Sequence, residues 1–401
     1  MRRMRRVALG VIATASLALS ACAGGNGADS DADKDTAASG DAAVTVTDVK
    51  GRTVTFDEQP ERVILGEGRA LFATSILNNE DPIDHVVAIG SDLTKGAPSF
   101  KKRLEEAVPE VGELPEIGNM AKGDVTVENL LSFEPDAVVM TADHYDAVST
   151  TGMLDKLDQA GIKYIVTDFR QHPLENTTKS VAALGELFDR EDEAEKFNKD
   201  WQETIDRIEE KTKDLSEDER PSTLLWRAAG LKDCCATVSK SNLGEFITIA
   251  GGKNLGDEIL DTESGDITAE KVIAEAPEAI IATGGSWDPE VSGSKDDATK
   301  QAIPHVELGY FATEDKAQKT LAGLLQTNGF EQLEAPKEGH LYGVWHQFYD
   351  SPMNFLALEQ FAQWLHPELF KDEDVEAHWK QAHEDYLPFE ASGVFFVQHN
   401  K

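Results

Sequence analysis

The sequence predicts an α/β protein of two similar lobes, each built on a mainly parallel sheet, joined by a long helix and separated by a crevice. Three observations predict it. From residue 62 onward short apolar runs alternate with helical patterns, the order expected of parallel strands linked by crossover helices. Residues 126–139 and 268–281 repeat one layout: a capping Thr, a Glu two residues later, a short helix, a Pro and then an apolar strand. Between these halves, residues 174–215 carry no strand pattern and are rich in Ala, Leu, Glu and Lys.

Size and charge narrow the function classes. At about 150 residues per domain, a chain of 401 residues exceeds a single small module. Its 38 Lys and Arg against 74 Asp and Glu give a net charge of −36, a surface that repels phosphate backbones, so nucleic acid is not an expected partner.

The first segment reads as an export signal. Met1-Arg2-Arg3-Met4-Arg5-Arg6 is basic, and the apolar run 7–19 is too short for a permanent membrane span. It leads into Leu19-Ser20-Ala21-Cys22, where small residues precede a cysteine as in the lipobox of bacterial lipoproteins. This resemblance implies a signal peptide over 1–21 and lipidation of Cys22 as the mature N-terminus. Residues 22–43 are then a flexible tether, since Ala, Gly, Ser, Asp and Thr cannot bury enough surface to offset their ordering entropy. The expected location is extracytoplasmic, lipid-anchored to the cell membrane.

The body opens on a β-hairpin, where Thr45 to Val49 and Arg52 to Phe56 alternate around Lys50-Gly51. Apolar strands follow at Val63-Ile64-Leu65, Val86-Val87-Ala88-Ile89, Ala137-Val138-Val139-Met140 and Tyr164-Ile165-Val166, giving an N-terminal lobe over 44–173. A connecting helical segment covers 174–215, with a break at Phe188-Asp189-Arg190. After it, Ala194, Phe197, Trp201, Ile205 and Ile208 recur at helical spacing and mark one packed face. The alternation restarts at Ser222 to Trp226 and continues through Ala279-Ile280-Ile281-Ala282, giving a C-terminal lobe over 216–401. Both lobes read as Rossmann-like, with ligand expected at loops beyond the carboxyl ends of the strands.

Besides Cys22 the chain has only the adjacent Cys234 and Cys235. In an oxidising compartment they form either a vicinal disulfide or two buried thiols. A closed metal site would need about four ligands, and no CxxC or HxxxH lies nearby to supply them. Nor does the chain contain a G-x-S-x-G elbow or an HExxH helix, so an extracytoplasmic hydrolase is disfavoured and no enzyme activity or cofactor is expected.

With the lipobox, this arrangement resembles the periplasmic-binding-protein family that serves ABC importers of ferric siderophores, haem and cobalamin. The resemblance covers about residues 48–365. It is carried by the opening from Thr47-Asp48 to Arg62-Val63-Ile64, the two repeated helix-Pro-strand units, Asn254-Leu255-Gly256 and Pro336-Lys337-Glu338-Gly339-His340-Leu341-Tyr342-Gly343-Val344. It implies a binding lipoprotein that acts as a monomer and delivers a small molecule, expected to be a ferric siderophore or similar Fe(III) chelate, to a permease and its ATPase. It also implies that the first-turn glutamates of the repeated helices, Glu128 and Glu270, dock onto the permease.

The strand-end loops supply the candidate ligand residues: Arg69, His144, Tyr145, Arg170, Trp226, Arg227, Trp287, Trp345, His346 and Tyr349. Arginines suit carboxylates or the oxygen-rich shell of an iron chelate, and aromatics offer flat apolar contact. Imidazole and phenolate both bind iron, so His144 and Tyr145 could complete a coordination sphere, or His144 or His346 with a Tyr could hold haem. Cobalamin and oxyanions such as molybdate are further alternatives. Asp288 to Phe330 is longer than the family usually needs.

Overall fold

A computed structural model describes residues 43–231, 234–287 and 305–400. The signal peptide, Cys22, most of the tether, and Asp288 with the chain up to residue 304 lie outside these residues.

A hairpin of β1 (Val44–Thr47) and β2 (Thr53–Phe56) leads into a four-stranded sheet of β3 (Val63–Leu65), β4 (Val86–Ile89), β5 (Ala137–Thr141) and β6 (Lys163–Thr167). Its order is β4-β3-β5-β6 and every pairing is parallel. β3 and β5 are buried along their whole length, as expected of strands covered on both faces.

Two consecutive helices follow, Pro173–Phe188 and Glu191–Thr212, separated where Asp189 takes a left-handed conformation at φ 54°. The break falls at the expected Phe188-Asp189-Arg190, and the second helix ends three residues short of the expected Leu215.

The C-terminal half comprises β7 (Ser222–Trp226), β8 (Ala236–Val238), β9 (Lys253–Asn254), β10 (Ser264–Asp266), β11 (Ala279–Gly284), β12 (Leu341–Trp345) and β13 (Phe396–Gln398). Five of these form a sheet in the order β13-β12-β11-β7-β9, parallel except for β13 at its edge. β8 and β10 form a separate antiparallel ribbon.

In both sheets the first strand lies inside the order, with its successors on opposite sides. The switch points are therefore β3/β5 and β7/β11, the places where a ligand crevice is expected outside the carboxyl ends. The apolar core on one face of the first sheet continues through the connecting helices into the second half. Phe72 meets Trp345 edge-on at 5.8 Å, Phe197 meets Phe355 at 5.9 Å, and the Trp201 indole donates to Asn354 Oδ1 at 2.8 Å. This shared core ties the halves along their backs and leaves the strand ends to form the crevice.

Candidate functional site

Five strand-end loops, after β3, β6, β7, β11 and β12, deliver the site. After β3, Gly66-Glu67-Gly68-Arg69 turns sharply, and a side chain at Gly68 would run into the Gly90 carbonyl and Leu93. Asp92 then accepts from the Gly68 amide at 2.6 Å and from Arg69 Nε at 2.7 Å, fixing the guanidinium.

After β6, the buried Asp168 carboxylate organises the loop that carries Arg170. One oxygen accepts from the amides of Arg170 (2.9 Å) and Gln171 (2.7 Å), the other from the amide of His172 (3.0 Å) and from Asn176 (2.8 Å). In the second half, the Arg227 amide donates to the Ala236 carbonyl at 2.8 Å and the Ala228 amide to Thr283 Oγ1 at 2.7 Å. Thr283 also meets His346 Nδ1 at 2.7 Å. The turn after β12, His346–Asp350, then places Tyr349 and Asp350 in the crevice.

Arg69, Arg170 and Arg227 converge on one aromatic ring. Their guanidinium carbons lie 5.5, 5.3 and 5.7 Å from the centre of Tyr349, within cation–π range. Arg69 also donates to the Tyr349 hydroxyl.

The first two arginines are heavily paired. Arg69 contacts Glu67, Asp92 and Asp350, the last at 2.8 Å; Arg170 contacts Glu67 at 2.5 Å, Asp143 at 2.6 Å and Asp350 at 2.9 Å. Arg227 makes no ion pair among the described residues, its Nε has no hydrogen-bond partner, and burial lowers its pKa.

The two shared carboxylates respond in opposite directions. Burial alone would raise the Glu67 pKa, but Arg170 and Arg69 outweigh it and hold Glu67 well below the usual carboxylate range. For Asp350, burial wins over Arg170 and Arg69, Glu67 adds repulsion, and the pKa rises to about 7. Burial, with the arginines behind it, keeps His346 neutral by moving its pKa well below the usual value. Its ring lies 4.5 Å from Tyr349 and 5.1 Å from Trp287.

The crevice therefore gathers Arg69, Arg170, Arg227, Trp287, His346 and Tyr349. Four expected residues are placed differently. His144 and Tyr145 lie in a helix, Ala142–Ser149, which starts directly after β5, and not in a loop. Adjacent helical positions point about 100° apart. His144 is accordingly buried, while Tyr145 turns to Arg52 and Tyr164. An iron site built from this pair is thereby corrected: the two side chains do not converge. Trp226 and Trp345 are core residues, 2% and 3% exposed; Trp226 packs on Phe330, and Trp345 on Tyr310 and Phe395. Both end strands buried on both faces, so their rings fill the interior.

Sequence reasoning missed Glu67, Asp92, Asp143 and Asp350. Two carried a local signal, since Glu67 and Asp350 stand within two residues of Arg69 and Tyr349. Asp92 and Asp143 reach the arginines only through the fold. Among the described residues, no group of three His, Cys, Asp or Glu side chains is arranged to hold a metal ion.

Cys234 and Cys235 are joined by a disulfide in the loop between Arg227 and β8, and Cys235 pairs through its backbone with Ile267. A cavity of about 1150 Å³ lies at the opposite end of the second sheet, between Pro221, Ala279, His340 and Trp364. It sits at the amino ends of the strands and lacks convergent arginines, so the crevice is the better site. Away from the crevice, Thr126 caps Asn129 at 3.1 Å and Thr268 caps Lys271 at 3.2 Å, leaving Glu128 and Glu270 as matching exposed first-turn carboxylates. Backbone and Thr hydrogen bonds lower both pKa values.

Two α/β halves that bring a buried polar cluster together at their switch points have the architecture of a solute-binding protein. The chain belongs to the periplasmic binding protein family, whose model matches residues 82–346. It is 25% identical over 244 residues to YvrC of Bacillus subtilis (strain 168), an uncharacterized ABC transporter substrate-binding lipoprotein; the match spans 60% of this chain and 69% of the relative. Its structure is similar to the TroA-like periplasmic binding protein FepB from Veillonella parvula, with a TM-score of 0.78 and 26% identity over 89% of this chain and all of that one. It shares its fold with the molybdate-bound binding protein MolA of Haemophilus influenzae, with a TM-score of 0.63 and 15% identity over 87% of this chain and 99% of that one.

Proposed function

We propose that the chain is the extracytoplasmic substrate-binding lipoprotein of an ABC importer and that its solute is a ferric siderophore or related iron chelate. One observation carries the reading of the solute: three arginines from both halves converge on the Tyr349 ring, and Arg227 has no acidic partner among the described residues. A chelate with oxygen donors and flat ligand arms would find a buried cation at Arg227 and aromatic surface at Tyr349, His346 and Trp287. The protein supplies binding and release, with no covalent step.

The transporter role is supported by the family match and the resemblance to YvrC. The lipid anchor is supported by the Leu19-Ser20-Ala21-Cys22 motif. Glu128 and Glu270, one on each half and equally exposed, are the proposed contacts to the permease, which works with an ATPase. The shared core and the connecting helices keep the lobe motion small.

Tryptophan-fluorescence titration of the purified protein against ferric hydroxamates, ferric catecholates, ferric citrate, haem, cobalamin and molybdate tests the solute. Saturable quenching by an iron chelate at micromolar or lower concentration is expected. Exclusive binding of haem, with an intense visible band, or of molybdate would replace the reading.

A further inference from the structure

We propose, building on the chelate reading above, that the crevice selects an iron chelate of little or no net charge, such as a ferric trihydroxamate, and that Asp350 is the residue that enforces this choice. The inference rests on how the crevice charges are already spent. Asp350 enters from the second half and places one carboxylate oxygen between the two arginines of the first, 2.8 Å from Arg69 and 2.9 Å from Arg170. It is 5% exposed and occupies the position an anionic solute would otherwise take on that pair.

Glu67 lies beneath the same two guanidiniums, and each arginine has one further carboxylate, Asp92 or Asp143. Above about pH 7, where Asp350 is ionised, three arginines thus face four carboxylates, and the crevice offers no net positive charge among the described residues.

A trianionic tris-catecholate would have to displace resident carboxylates from their guanidiniums or lie against them, and either course leaves buried charge unpaired. Like-charge contact of this kind is an ordinary means of rejecting a wrong partner. A neutral chelate meets neither cost. It can accept hydrogen bonds at Arg227 and lie on Tyr349 and the neutral His346 ring, leaving the network of Asp350, Arg69 and Arg170 intact.

The test compares two chelates of the same metal, neutral ferrioxamine E and trianionic ferric enterobactin, by fluorescence quenching on the native full chain at one ionic strength and at one pH well above 7, where Asp350 is ionised. Ferrioxamine E is expected to bind at least about tenfold tighter. In the Asp350→Asn variant, which keeps the shape and removes the charge, the affinity for enterobactin relative to ferrioxamine E should rise about tenfold or more. Equal or tighter enterobactin binding by the native protein overturns the inference and leaves the chelate reading standing. Failure of both chelates, with haem or molybdate bound instead, overturns the chelate reading and this inference together. A folded Asp350→Asn variant with unchanged preference removes Asp350 from its assigned role. If that variant does not fold, the native comparison decides.

Discussion

The two halves of the molecule bring arginines to the same tyrosine under different terms. Arg69 and Arg170, from the first half, are held by Glu67, Asp92, Asp143 and Asp350 and behave as structural cations. Arg227, from the second half, is as close to Tyr349 but has no acidic partner among the described residues, and burial weakens its hold on its proton. Three similar side chains at similar distances therefore do different work. Two of them build the floor of the crevice and one stays available. Proximity to a site does not make a charge available; its pairing decides.

The strongest test of the pairing of halves concerns transport. Reversing the charge at Glu128 or at Glu270, as Glu128→Arg or Glu270→Arg, should abolish uptake in a whole-cell assay while solute affinity changes by less than about twofold. Retained uptake in one variant would show that the halves dock unequally.

Next in size is the contrast between arginines. Arg170→Gln leaves Glu67 and Asp350 buried with one partner fewer, and breaking such a pair costs about 3–5 kcal/mol; thermal unfolding should show the loss. Arg227→Gln removes a buried charge that has no acidic partner among the described residues, so its melting temperature should hold or rise, while solute affinity falls about 10- to 100-fold, the equivalent of one charged hydrogen bond. If both variants behaved alike, the division between structural and available arginines would fail.

A smaller effect lies at the back of the second half, where His378 sits between Glu359 at 2.7 Å and Asp200 at 3.5 Å. Burial opposes its charge, but hydrogen bonds to Asp200 and Glu359 prevail and raise its pKa to about 9. The folded form holds this proton more tightly than the unfolded chain. The stabilisation is therefore complete below about pH 6.5 and is lost as pH rises through about 9. For a partly exposed group this is about 1–2 kcal/mol after screening. Denaturant melts at pH 6 and pH 9.5 should differ by that amount, and His378→Gln should remove the difference.

The smallest effect is expected from reducing the Cys234–Cys235 disulfide, which links neighbours in sequence and so closes almost no chain entropy. The melting temperature should stay nearly constant. Any response should appear instead in solute affinity, because this loop follows Arg227.

Much of the organisation was legible beforehand. Val63, Ala137, Leu224 and Ile280 announced buried parallel strands because apolar runs bounded by turns have few other uses. Asp189 marked the break between the connecting helices, and Thr126 and Thr268 marked two helix starts through their caps. The strand-end loops read from the sequence do bring Arg69, Arg170, Arg227, Trp287, His346 and Tyr349 near one another. Trp226 and Trp345 came from the same loops and proved to be interior packing, since a chain pattern locates the end of a strand without saying toward which side its last ring turns.

The sequence by itself determined the local units, because capping, apolar periodicity and turn chemistry act between residues a few positions apart. Only the tertiary structure decided which charges meet. Asp350 lies 281 positions from Arg69 and 180 from Arg170, yet it binds both at under 3 Å. Whether a buried carboxylate cancels an arginine or leaves it free depends on those few ångströms, since Coulomb energies in a desolvated crevice fall with distance in space and not along the chain.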